Sequence, residues 1–209
     1  MLDHIVLATP DVQASVAEIE AAIGLRPELG GHFPGRGVYN HLLALRDDAY
    51  LEIIGPDPAQ PNLEGPLPFG MDDFGERGAH VPHWCCKAGA QIEERVASAK
   101  AAGYDIGEVR PLGRQLPDGT RLDWRLTRTV WPPLLGGLVP FLIDWGDARH
   151  PSTTAVKGAR LVSWHGEHPD LAAVRRAHNA LGVELELREG PQPALVAVIE
   201  GPGGSITLR

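Results

Sequence analysis

Cysteine is almost missing from this chain. Two occur among 209 residues, Cys85 and Cys86, side by side. Neighbours in an extended strand point to opposite faces, so this pair is poorly placed to bond to itself. A disulfide framework is excluded, and without a C-x-x-C spacing so is a cysteine zinc knuckle. Positive charge is also short: 19 basic residues face 27 acidic ones, a formal net charge of −8. Neutralising phosphates needs clustered positive charge, which sets nucleic acid aside and anionic membrane surfaces with it. Long hydrophobic runs are lacking too. The longest, 131–143, is too short to span a bilayer and holds three prolines and two glycines. The opening Met1-Leu2-Asp3-His4 has no basic stretch of the kind that begins a signal peptide. A reduced, cytoplasmic protein is the expectation.

Glycine and proline are abundant, at 25 and 19 residues, without periodicity and mostly between patterned segments. This composition means many turns rather than disorder. With 43% apolar residues the chain can bury an ordinary core.

Three segments carry the 3.6-residue spacing of amphipathic helices, at about 11–23, 91–102 and 170–181. Each runs into a glycine suited to a left-handed helix stop. These are Gly24, Gly103 and Gly182, spaced 79 residues apart each time. Strand patterns precede each helix, and three more follow it: near 26–32, 38–45 and 49–55, then 107–112, 121–130 and 138–145, then 183–188, 194–200 and 204–208. The chain therefore reads as an α+β protein of tandem βαβββ units. Two units, 1–55 and 80–147, are expected to pair into a cup-shaped mixed sheet forming a domain over 1–147. The connector 56–79 carries five prolines and is long enough to form a site edge. A third, trimmed unit over 148–209 packs on them.

The repeat singles out two histidines. His4 stands in the first strand of unit one, and the position 79 residues on is His83. Imidazole is a common ligand for divalent Zn, Fe, Ni and Co. Glu52 lies among Leu51, Ile53 and Ile54, where a carboxylate is costly to bury without a partner or a metal. His4, Glu52 and His83 are thus the expected metal ligands, with Glu52 also the catalytic carboxylate. Asp144 is a weaker fourth ligand, because its register relative to the following glycine is one residue off and a one-residue slip reverses the face. Arginine outnumbers lysine 16 to 3, which favours planar recognition of anions. Arg36, on a glycine-flanked turn, and Arg125 with Trp124, in the strand 121–130, are the expected substrate-binding residues. Trp145 supplies an apolar wall.

The opening Leu2-Asp3-His4-Ile5-Val6-Leu7, the helix after it and the closing Tyr50-Leu51-Glu52-Ile53-Ile54-Gly55 resemble the vicinal oxygen chelate superfamily. More narrowly, the sequence is similar to glyoxalase-like domain proteins, the fold of glyoxalase, bleomycin-resistance protein and extradiol dioxygenase. The resemblance covers 1–147 well and the rest less specifically. It implies a site between paired units around a divalent metal ion (Zn, Fe, Ni, Mn or Co), with His4, Glu52 and His83 at matching positions. It also implies an enzyme of lyase, isomerase or dioxygenase type acting on a small oxygenated or carboxylated molecule. A metal-free protein that binds or sequesters a small molecule is the alternative on the same fold. The expected partner is a small-molecule substrate, and a homodimer is compatible with the fold.

Overall fold

A computed structural model describes the chain apart from residues 46–47, 62–64, 76–77 and 129. Five residues of the expected connector and one of the expected strand 121–130 therefore lie outside the described residues.

The first unit comprises β1 (Leu2–Ala8), α1 (Val12–Ile23), β2 (Glu28–Phe33), β3 (Val38–Leu45) and β4 (Ala49–Pro56). The second comprises β5 (His80–Lys87), α2 (Ile92–Ala101), β6 (Val109–Gln115), β7 (Arg121–Thr127) and β8 (Phe141–Asp144). The third comprises β9 (Arg160–His168), α3 (Leu171–Leu181), β10 (Glu186–Glu189), β11 (Ala194–Gly201) and β12 (Gly204–Leu208). Local chemistry sets the helix ends. Asp11 and Asp170 accept the backbone N–H of Ala14 and Ala173 at 3.0 and 2.9 Å, satisfying donors that the first turn leaves free. Gly24 and Gly182 close α1 and α3 at φ +73° and +62°. α2 is different: Gln91 makes no capping bond and Ala102 ends the helix, with Gly103 at φ +89° one residue on.

The first two units curl together, as expected, and close into an eight-stranded barrel in the order β1-β4-β3-β2-β6-β7-β8-β5. One joint, β1 to β5, is an antiparallel ladder of five registered pairs. The other, β2 to β6, has the single pair His32 and Gln115. Gly31 sits at that joint, where a Cβ would lie 2.1 Å from the Gln115 carbonyl oxygen. An eight-stranded barrel is just wide enough for side chains or one small ligand. Alternation divides the residues: Val6, Ala8, Ile54, Cys85, Trp124, Phe141 and Ile143 cluster inside. Ile5, Leu7, Leu51, Ile53, Trp84 and Leu142 belong to a separate outer core.

The third unit repeats the order of elements but not the order of strands. In the barrel the first strand of each unit lies parallel to the fourth, β1 beside β4 and β5 beside β8. In the third sheet the order is β10-β9-β11-β12, so β9 is flanked by β10 and β11 and never meets β12. This sheet does not stand alone. Val174, Leu181, Leu195, Ala197 and Ile199 share the outer core with the barrel. Trp84 of β5 meets Trp164 of β9 and His178 of α3 at ring-centroid distances of 5.9 and 6.1 Å. Among the described residues, no helix is long and apolar enough to cross a membrane.

Candidate functional site

The barrel interior holds a cavity that opens to solvent. β1 and β4 are parallel neighbours, with His4 opposite Tyr50 and Val6 opposite Glu52. The period-2 alternation then turns His4, Tyr50 and Glu52 to the same inner face. The three line the cavity together. His4 stacks on Tyr50 at 4.7 Å between centroids. Its Nε2 lies 3.7 Å from Glu52 Oε2, too far for a hydrogen bond and close enough to share a proton through a bound group. Burial pushes the Tyr50 hydroxyl well above its ordinary range, so it stays neutral.

Both members of the His4–Glu52 pair are held from behind. Glu52 Oε1 accepts from Asn40 Nδ2 of β3 at 2.5 Å. The fully buried Asp3 carboxylate accepts from His4 Nδ1 at 2.7 Å, Trp145 Nε1 at 2.9 Å and His150 Nε2 at 3.1 Å. Burial alone would raise the Asp3 pKa, but the bonds from His150 and His4 outweigh it and hold the acid well below the usual carboxylate range. An ionised Asp3 only accepts, so His4 Nδ1 carries a proton and Nε2 faces the cavity.

Trp124 stands on the inner face with Leu126, the face that alternation gives both. Trp124 and Trp145 form a wall, 5.1 Å between centroids, and Arg36 lines the mouth. Burial and the nearby Arg128 lower the Arg36 pKa. Pro68 and Phe69 of the connector also line the cavity, so this segment is a site edge as its length suggested.

Other expected residues are placed apart. Arg125 shares a strand with Trp124 but the opposite face, and it pairs with Glu93 of α2 and, at 2.6 Å, with Asp144. Asp144 is held below the usual carboxylate range by Arg125 and by the Gly146 N–H. Both lie on the outer side, away from the cavity lining. His83 points inward but at another station. It lines a small separate pocket with Arg128, Leu134 and Phe141. The Phe141 ring borders both imidazoles, 5.3 Å from His4 and 5.2 Å from His83. His83 Nδ1 accepts the Trp84 backbone N–H, and burial, aided by His4, lowers its pKa to about 4.

Among the described residues, the group that brings three potential ligand atoms within 4.8 Å of one another is Asp3, His4 and Cys85, all buried. It could hold a metal ion. His4, Glu52 and His83 do not come together in this way. The donor chemistry of the observed group fits a metal poorly. The Asp3 oxygens already accept three hydrogen bonds, and burial pushes the Cys85 thiol well above its ordinary range.

One cavity-lining residue was hidden by an element boundary. Arg114 of β6 lines the cavity and is only 3% exposed. The expected strand 107–112 stops short of it, whereas β6 runs to Gln115. Extending the alternation from the inward Leu112 by two residues finds it.

The sequence profile of a family described as a glyoxalase-like domain matches residues 2–182. No curated protein matches the chain. Among solved structures, a hypothetical protein from Staphylococcus aureus is 12% identical, with a TM-score of 0.67 over 100% of this chain and 98% of its own. Methylmalonyl-CoA epimerase from Mycobacterium tuberculosis is 17% identical, with a TM-score of 0.44 over 68% of this chain and 86% of its own. A methylmalonyl-CoA epimerase in complex with methylmalonyl-CoA and NH4+ is 17% identical, with a TM-score of 0.43 over 72% and 97%. Since the profile spans most of the sequence, the chain belongs to the glyoxalase-like domain family.

Proposed function

We propose that this protein is an enzyme of isomerase or lyase type that moves a proton on a small oxygenated or carboxylated molecule held inside the barrel. One observation carries the reading: His4 Nε2 and Glu52 Oε2 face one cavity 3.7 Å apart, each fixed from behind by its own hydrogen bond. A general base must sit within reach of the proton it takes, with its pose fixed beforehand. Asp3 holds the imidazole ring and its tautomer, while Asn40 Nδ2 occupies one Glu52 oxygen and leaves the other for the substrate. Aromatic side chains line the site, and expelling water from such a site strengthens the electrostatics inside.

A divalent-metal-dependent form of this chemistry is the second reading. The family resemblance favours it. A metal would polarise a substrate oxygen as a Lewis acid. The saturated Asp3 weighs against it.

Proton wash-out in D2O tests the first reading. Small 2-oxo and 2-hydroxy carboxylates are incubated with protein and their α-C–H signals followed by NMR. We expect catalysed exchange with at least one of them, and a drop of 100-fold or more in Glu52→Gln, since a positioned acid or base contributes about 10²–10⁴-fold. Exchange by Glu52→Gln at the wild-type rate would overturn the proton-transfer role. Metal content of the purified protein, with activity before and after chelation, separates the two readings.

A further inference from the structure

The barrel interior contains a cation with no visible purpose. The Arg114 guanidinium makes no hydrogen bond and no ion pair with any described residue, and its Nε is fully enclosed without a partner. Arginine keeps its proton in proteins and carries five donors in a fixed fork. A charge buried without a partner is costly, so a protein that keeps one has a compensating group in its working state. Glu52 and Tyr50 are near enough to act on Arg114 electrostatically, yet neither is bonded to it. The indole Nε1 of Trp124, on the wall of the same cavity, is likewise buried and unpartnered.

We propose that Arg114 is the anchor for the substrate's carboxylate, and that the cavity selects small monoanions with an apolar body. The inference rests on the reading that this cavity is the reaction site, and it adds the substrate class and the residue that recognises it. The guanidinium fork matches the two oxygens of a carboxylate, and such pairs are charge-assisted and directional. Phe33, Trp124, Phe141 and Trp145 surround the body of the ligand. Arg36 at the mouth draws anions inward, which a chain with net charge −8 does not do at long range. With the carboxylate on β6 of one unit, the rest of the molecule extends toward His4 and Glu52 of the other.

Calorimetric titration tests this with benzoate, its neutral counterpart benzamide and inorganic phosphate, while tryptophan fluorescence reports ligand at the Trp124 wall. Benzoate is expected to bind and quench; benzamide and phosphate are not. Arg114→Met should weaken benzoate on the order of 10- to 100-fold, the range for hydrogen bonds to a charged group. Arg114→Lys, which keeps the charge and loses the fork, should fall between. Arg160→Met, remote from the barrel cavity, is the control. Thermal melts check that each variant is folded. Benzamide binding as tightly as benzoate, no benzoate binding by the wild type, or unchanged affinity in folded Arg114→Met or Arg114→Lys would each overturn the proposal. Glu52→Gln separates it from the proposed chemistry: that variant should still bind benzoate while losing proton exchange. Benzoate binding lost with Arg114, alongside unchanged exchange in Glu52→Gln, would leave the anchor standing and remove the proton-transfer reading.

Discussion

His83 shows how a buried side chain can carry a pH dependence unrelated to chemistry. Its pKa is about 4 in the folded protein, against about 6.5 unfolded. The neutral ring is the one that fits, so its contribution is complete above about pH 6.5. It is lost as pH falls through that window, because the unfolded chain then binds the proton more readily. At 1.36 kcal/mol per unit this amounts to roughly 3 kcal/mol between pH 6.5 and 4. Denaturant unfolding across that range should show the slope in the wild type and a much flatter curve in His83→Gln. An equal slope in both would assign it to other groups, among them His41 and His178, which burial also depresses. The 79-residue repeat located His83 and its inward face. It carried no information on Phe141, whose ring borders both histidines, because that contact depends on where β8 lies against β5. Asp144 lies on the outer face that its one-residue register slip implies, and Arg125 lies beside it. An arginine next to a tryptophan in sequence lies on the other side of a strand, and here the outer side offered Glu93 as a partner.

Helices were the most legible elements. Their apolar spacing, Asp11 and Asp170 at the starts and glycines at the stops agree with the folded chain to within two residues. Those caps give a direct prediction. Asp11→Ala and Asp170→Ala should each lower stability by about 1 kcal/mol, the typical cost of losing an N-cap side chain. Gln91→Ala, at the start of α2, should cost much less, since that side chain makes no capping bond. Thermal denaturation of the three variants checks this, and equal losses would show that packing rather than capping fixes the ends. Strand ends were less legible. The sequence pattern ends near residue 112, but β6 extends to Gln115, and those three residues include Arg114. Alternation is weak there because Arg110 and Pro111 break the apolar pattern. The strand order of the third sheet was invisible in sequence, since two arrangements can share one order of elements.

For the molecule as a whole, barrel closure is uneven. The β1–β5 joint has five registered pairs and the β2–β6 joint one. Local opening concentrates where few hydrogen bonds hold. Amide exchange should therefore be faster in β2 and β6 at this seam than in β1 and β5. Gly31→Ala should strain the seam directly, because the new Cβ would meet the Gln115 carbonyl at 2.1 Å from a backbone at φ +148°. A loss of several degrees in Tm with faster exchange in β2 is expected. Unchanged exchange would mean that the strands adjust without parting.

The strand order of the third sheet has a consequence for solubility. Closing the barrel removes the edges of eight strands, and β12 lies against α1. β10 is the edge strand at the other side of the third sheet. An open edge with unpaired backbone groups invites strand addition by other chains and is the usual start of aggregation. β10 is four residues long, Glu-Leu-Arg-Glu, with its three charged residues exposed. A strand so short and so charged is a poor template. By placing β9 in the middle of the sheet, the fold keeps its longer, more apolar strand away from the rim and puts a short, charged one there.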